Sequence, residues 1–175
     1  MSRSMSPGPA LPIAHAVLRI LIVLNWLGGA AILALLVLMP NREWIMSAFK
    51  LEPSPDTDQL IMGMRSIAGL GLVAIPLNYL ILKWLLAMVG TVRAGDPFVA
   101  VNADRLRSIA WCLLGLQLLS IAIGTIAKSI SSPAHPLKLD AGFSMTGWLA
   151  VLLTFLLARV FEEGTLMREE LEGTV

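Results

Sequence analysis

Four long apolar runs limit what this chain can fold into. They cover about residues 13–39, 60–89, 109–127 and 143–160. Each run holds at least roughly 18 residues, the length of helix that crosses a hydrocarbon core of ~30 Å. Because lipid offers no partners for backbone N–H and C=O groups, each run is expected to form a helix. The sequence therefore predicts an all-α polytopic membrane protein with four transmembrane helices in a bundle.

The composition agrees with a lipid-facing surface. Apolar residues make up 57% of the chain and charged residues only 14%, whereas soluble domains carry about 25% charged residues. The net charge is +1 without a clustered basic face, which argues against direct nucleic-acid binding. No repeat divides the chain, so residues 1–175 are interpreted as one domain. The first run is interpreted as an anchor and not as a cleaved signal peptide.

The distribution of Lys and Arg in the connections predicts the orientation, since cytoplasmic loops carry an excess of them. Six arginines flank the runs on the side of both termini, against four cations on the other side. Both termini are therefore expected in the cytoplasm. The first group comprises Arg3, Arg93, Arg105, Arg107, Arg159 and Arg168, and the second Arg42, Lys50, Lys128 and Lys138.

Three cations lie inside the apolar runs. Arg19 and Lys83 stand near the cytoplasmic ends of the first and second runs, and Arg65 near the outer end of the second. Such long side chains reach the headgroups by snorkelling. For Arg65 an intramembrane function remains an alternative, because ionisable groups at membrane depth mark functional sites.

Small and polar residues of the second run suggest a packing or polar site. Glycines allow close helix approach, and a proline inside a helix removes a hydrogen bond and kinks it. Amides at this depth are expected to bond between helices, with a small-ligand cavity as the alternative. The candidate intramembrane residues are Gly63, Arg65, Gly69, Gly71, Pro76 and Asn78, and Asn25 and Gln117 of the neighbouring runs are expected to bond similarly.

No pattern for catalysis or cofactor binding is present in the sequence. It lacks an HExxH pair, a CxxC pair, a nucleophile elbow and a phosphate-binding loop. The lone Cys112 excludes an intramolecular disulfide. The chain is therefore expected not to be an enzyme and to hold neither a metal nor a cofactor.

Two segments beside the runs resemble a known family. One is Gly95-Asp96-Pro97-Phe98, followed by Asn102 and Arg105-Leu106; the other is Ala158-Arg159-Val160-Phe161, followed by Gly164. With four spans, they resemble the bacterial family of small membrane proteins catalogued as DUF2975. The resemblance implies an inner-membrane protein of unknown function. Members are often encoded beside a small Cro/CI-type helix-turn-helix regulator, which implies a transcription factor as partner.

The same segments suggest a cytoplasmic interaction site. Gly95 and Pro97 suit a tight turn, and Asp96 is expected to cap the helix that follows. Arg105 and Arg107 are expected to pair with Glu162, Glu163 or Glu169 and to clamp the turn to the tail. The alternative is that the motifs only fix helix ends. The candidate interaction residues are Asp96, Phe98, Asn102, Arg105, Arg107, Arg159, Phe161 and Glu162.

These features predict a regulatory membrane protein that binds a cytoplasmic helix-turn-helix transcription factor. One alternative is an accessory subunit that packs against a larger membrane complex, since glycine-rich faces favour helix association. Another is a small transporter or channel, although four helices without an inverted repeat are few for alternating access. A homo-oligomer remains compatible with all three.

Overall fold

A computed structural model describes residues 10–38, 43, 46–47, 55–131 and 141–172. The described residues form four long helices and no strand, so the all-α prediction is confirmed. The helices are α1 (Ala10–Leu38), α2 (Pro55–Arg93), α3 (Ala100–Ile130) and α4 (Met145–Glu172). All four are long and apolar enough to cross a membrane. The sequence also allows a short interfacial helix at residues 44–49, and these residues lie mostly outside the described part of the chain.

The helices extend beyond the apolar runs that predicted them. α3 begins at Ala100, nine residues before its apolar run, and α4 continues to Glu172, twelve residues after its run. The apolar pattern marks only the part of a helix that faces lipid. Outside that part, strong helix formers such as Leu, Met, Arg and Glu prolong the helix, because each added residue gains one backbone hydrogen bond.

The four helices pack in chain order, and consecutive helices run antiparallel. α1 packs against α2, α2 against α3 and α3 against α4, whereas the described parts of α1 and α4 make no extensive contact. The bundle is therefore open between its first and last helices. A buried cluster of Ile81, Ile109 and Cys112 forms the core between α2 and α3. The contacts that set the register are Gly29 with Ile75, Ile81 with Ile109, and Trp111 with Phe155.

This register places the cations at two heights. We call the end where residues 94–99 join α2 to α3 the turn end. Near it, each helix carries one cation at a similar height: Arg19, Lys83, Arg107 and Arg159. Arg65 and Lys128 share a height near the opposite end, because Gly63 lies against Ile130. At 1.5 Å per residue the two heights are about 27–32 Å apart, which matches the ~30 Å hydrocarbon core of a bilayer.

Candidate interaction site at the turn end

The turn between α2 and α3 depends on one glycine. Gly95 has a φ of 83°, a left-handed conformation that glycine adopts without a steric cost. The Asp96 N–H donates to the Thr91 carbonyl and the Gly95 N–H to the Val92 carbonyl, both at 3.1 Å. This pair of bonds is the Schellman arrangement that closes a helix C-terminus. The Gly-Asp-Pro-Phe segment therefore ends α2 and reverses the chain.

The prediction that Asp96 caps α3 is wrong. The N-cap of α3 is Val99, in an extended conformation and without a side-chain capping bond. Asp96 lies three residues before that position, too early for its carboxylate to reach the first free N–H groups of α3. Its carboxylate instead accepts a hydrogen bond from the Arg168 guanidinium of α4.

Asn102 connects three parts of this end of the molecule. Its side chain is only 1% exposed. Its Nδ2 group donates to Thr91 Oγ1 at 2.7 Å and to the Pro97 carbonyl at 2.8 Å. Its Oδ1 atom accepts from Arg105 Nη1 at 2.9 Å. Only an amide supplies two donors and an acceptor in this space, so Asn102 joins the end of α2, the turn and the start of α3.

An aromatic contact joins the turn to α4. The rings of Phe98 and Phe161 lie with their centroids 5.2 Å apart. Phe98 also lies on Gly164, where a Cβ atom would be 3.3 Å from the Phe98 ring. Gly164 therefore leaves the space that the ring occupies. The two family-like segments, about sixty residues apart in the chain, meet at this contact.

Exposed ion pairs surround that contact. Arg107 Nη2 lies 3.0 Å from Glu162 Oε2, which confirms one of the predicted pairs. Arg159 contacts Glu162 at 3.3 Å and Glu163 at 3.0 Å. Each exposed pair contributes at most about 1 kcal/mol. The prediction that Arg105 pairs with Glu162 or Glu163 is wrong, because its guanidinium bonds to Asn102 on its own helix; the Glu169 side chain lies outside the described part.

All eight predicted interaction residues therefore lie at the turn end. They take part in a set of contacts with three parts: the bonds of Asn102 and Asp96, the paired phenylalanine rings, and the ion pairs of Glu162. Sequence reasoning missed Thr91 and Arg168 as members of that set. Thr91 carries no distinctive pattern, and Arg168 lies 72 positions from its partner Asp96. In the described parts of the chain, no group of three His, Cys, Asp or Glu side chains is placed to hold a metal ion. The contacts at the turn end hold together the end of α2, the turn, α3 and α4.

The predicted intramembrane residues do not form one site. A Cβ atom on Gly63 would lie 2.5 Å from Ile130 and one on Gly71 3.6 Å from Ile32, whereas Gly69 has nothing within 4 Å. Gly63 and Gly71 thus face α3 and α1, and Gly69 faces outward. Arg65 is exposed.

Pro76 stands within the continuous helix α2, as the sequence predicts. The Asn25 amide donates to the Ile75 carbonyl at 3.1 Å, so the interhelical bond expected of Asn25 is confirmed. The Asn78 amide donates to the Ala74 carbonyl of its own helix at 3.0 Å. The prediction that this amide bonds to a neighbouring helix is therefore wrong. Gln117 packs directly on Gly147 of α4. Asn25 and Gln117 therefore contact neighbouring helices at separate points, whereas the Asn78 amide bonds within α2.

Comparison with known proteins identifies a family. A family model described as "Protein of unknown function (DUF2975)" matches residues 55–175. The matched part contains α2, α3, α4 and every residue of the turn-end contacts. No curated protein and no solved structure matches the chain.

Proposed function

Since the chain belongs to the DUF2975 family, we propose that it is a non-enzymatic membrane protein that binds a soluble regulator through its turn end. The partner that the resemblance favours is a small helix-turn-helix transcription factor. Held at the membrane, such a factor is kept from DNA until the complex dissociates. One observation supports this proposal above the others. Contacts of Asp96, Phe98 and Arg107 join α4 to the turn and to α3, and α4 projects well beyond the height of the four cations.

The projection follows from helix length. From Arg159 to Glu172, α4 extends about 20 Å beyond the height of the four cations at 1.5 Å per residue. We call residues 160–172 the α4 extension. Within it, Leu166 and Met167 are 55% and 61% exposed and lie about 10 Å beyond Arg159. Lipid does not cover side chains at that height, and exposed apolar side chains with a polar rim are typical of protein-binding surfaces.

The turn end is proposed to face the cytoplasm. Of the nine Lys and Arg residues in the described part of the chain, seven lie at the turn end or beyond it, and Arg65 and Lys128 lie near the opposite end. An excess of Lys and Arg marks the cytoplasmic side. This orientation places both termini and the α4 extension in the cytoplasm of a bacterial cell, where a transcription factor is available.

Site-specific photo-crosslinking tests the proposal. A photoreactive amino acid in place of Met167 is expected to crosslink the proposed helix-turn-helix partner in intact cells. The matched control carries the photoreactive amino acid in place of Leu152. Leu152 is 69% exposed and Met167 61%, but Leu152 lies within the lipid-facing part of α4, so the control is expected to crosslink no soluble protein. Replacing Leu166 and Met167 by serine is expected to abolish the complex. Failure of Met167 to crosslink the regulator, or equal crosslinking from Leu152, would contradict the proposal.

The open bundle favours an accessory subunit as a second candidate. Among the described residues, α1 makes extensive contact with α2 alone and α4 with α3 alone, and a Cβ atom on Gly69 would have nothing within 4 Å. Small residues of this kind allow close approach of another transmembrane helix. A stoichiometric membrane complex in mild detergent, lost on Gly69→Leu but retained by Leu166 and Met167 serine variants, would establish this role instead.

A further inference from the structure

An aromatic pair marks one face of the contact between α1 and α2. The rings of Trp26 and Tyr79 lie with their centroids 5.5 Å apart at an interplanar angle of 57°. The direct interface between the two helices lies elsewhere around α1, where Asn25 and Gly29 meet Ile75. Trp26 and Tyr79 therefore lie beside the direct interface, on one side of this helix pair. We call this side of the pair, where the two helix surfaces diverge, the groove between α1 and α2.

Two cations follow the aromatic pair on the same side. At 100° per residue, Lys83 is one helical turn from Tyr79 and Arg19 two turns from Trp26, each on nearly the same face as its aromatic residue. Because the helices are antiparallel, both steps lead toward the turn end. Lys83 and Arg19 therefore flank the groove with about 5 Å between their heights. His15 is one further turn along that face of α1.

No described protein group neutralises these two cations. Within the part of the chain that the structure describes, neither Arg19 nor Lys83 has a hydrogen bond or an ion pair, and both are exposed. α1 contains no acidic residue, and the acids of α2 lie in its first turn at the opposite end. At the same height on α3 and α4, by contrast, Arg107 and Arg159 are paired with Glu162.

We propose that the groove between α1 and α2 at the turn end binds the headgroup of an anionic phospholipid. Arg19 and Lys83 flank the phosphate, and His15 supplies a further polar contact on its outer side. Trp26 and Tyr79 pack against the first acyl carbons below it. The height of the cations at the edge of the hydrocarbon identifies the source of the phosphate as a lipid, because this is where headgroups begin. Basic pockets between transmembrane helices bind acidic headgroups in this manner.

Lipid binding to the purified protein tests the site. Native mass spectrometry in detergent compares phosphatidylglycerol with zwitterionic phosphatidylcholine for the unchanged protein and two double variants. Arg19→Gln with Lys83→Gln is expected to weaken phosphatidylglycerol binding about 30-fold, since each cation near an acidic headgroup contributes about five-fold. Arg65→Gln with Lys128→Gln removes the same charge at the opposite end and is expected to change binding less than about two-fold.

Three results would overturn the proposal. They are equal losses in both double variants, no loss in either, or phosphatidylcholine binding as tight as phosphatidylglycerol binding to the unchanged protein. A second measurement needs no substitution: a photoactivatable phosphatidylglycerol is expected to label peptides from residues 15–26 and 79–84 of the unchanged protein. Labelling confined to α3 and α4, or spread evenly over all helices, would equally refute the site, whether or not the variants fold.

Discussion

Replacing Asn102 by alanine removes the side-chain bonds through which this residue joins α2, the turn and α3. Asn102 makes three hydrogen bonds, two as donor to Thr91 and Pro97 and one as acceptor from Arg105. Thr91 retains its own bond to the Met88 carbonyl, and Arg105 reaches water. The Pro97 carbonyl loses its donor next to a buried space that alanine fills only in part.

The expected loss follows from these bonds. A hydrogen bond contributes about 0.5–1.5 kcal/mol net, and a buried group left without a partner costs about 1–3 kcal/mol. Counting the three bonds of Asn102 once each gives a loss of about 3 kcal/mol in the free energy of unfolding. Asn102 lies beyond Arg107 and thus outside the hydrocarbon, so these water-referenced values apply.

Unfolding of the purified protein in bicelles measures this loss. Asn78→Ala is the matched control, because the Asn78 amide makes one bond within its own helix and is expected to lose about 1 kcal/mol or less. The unfolding free energy of each variant is compared with that of the unchanged protein under identical lipid conditions. An Asn102→Ala loss below about 1 kcal/mol, or one no larger than that of Asn78→Ala, would refute the connecting role of Asn102.

Two further outcomes are expected from the same assay. Gly63→Ala is expected to lower the free energy of unfolding by about 1–3 kcal/mol, because the added methyl group overlaps Ile130. Gly69→Ala is expected to be neutral or slightly stabilising, since a Cβ atom there would have nothing within 4 Å. Equal effects of the two substitutions would contradict the packing of α2 on α3. Arg107→Gln is expected to lower the free energy of unfolding by less than about 1 kcal/mol, because its ion pair with Glu162 is exposed. Salt at about 0.5 M is expected to remove most of this difference. A larger loss of stability that persists in salt would contradict a surface role for the pair.

The four spans were predictable because each apolar run is long enough to cross the hydrocarbon core, where only a helix satisfies the backbone groups of a single run. The sequence predicted that the glycines of α2 pack against other helices, but not which of them do so. Gly63 and Gly71 contact neighbours while Gly69 does not, since helix period rotates Gly69 to another face. Which face meets a neighbour depends on the positions of α1 and α3, and a single sequence does not contain that information.

The turn-end site shows a similar division between local and distant features. Turn chemistry at Gly95 is local and was predictable. The pairing of Asp96 with Arg168 was not, because it depends on α4 continuing as a helix well past Phe161. An acidic tail in the sequence does not say whether it is helical. The same long-range geometry decides that Arg107 reaches Glu162 whereas Arg105 bonds within its own helix.

The turn end combines two electrostatically different halves at one height. On α3 and α4, Arg107 and Arg159 are paired with Glu162 of α4, so that half has a paired polar surface. On α1 and α2, Arg19 and Lys83 have no ion pair within the described part of the chain, and we propose that an anionic lipid binds them. Because α3 lies between Lys83 of α2 and Met167 of α4, the two proposed sites are expected to act independently, since effects at positions more than about 7–10 Å apart add.

This independence is testable. The Arg19→Gln and Lys83→Gln variant is expected to crosslink the regulator through Met167 as well as the unchanged protein does. The Leu166 and Met167 serine variants are expected to retain phosphatidylglycerol. If lipid loss instead abolished crosslinking, the lipid would have to bias α2 and the turn that α2 carries, because α1 itself makes no extensive contact with α4. That result would turn two separate sites into a lipid-controlled switch transmitted through Asn102.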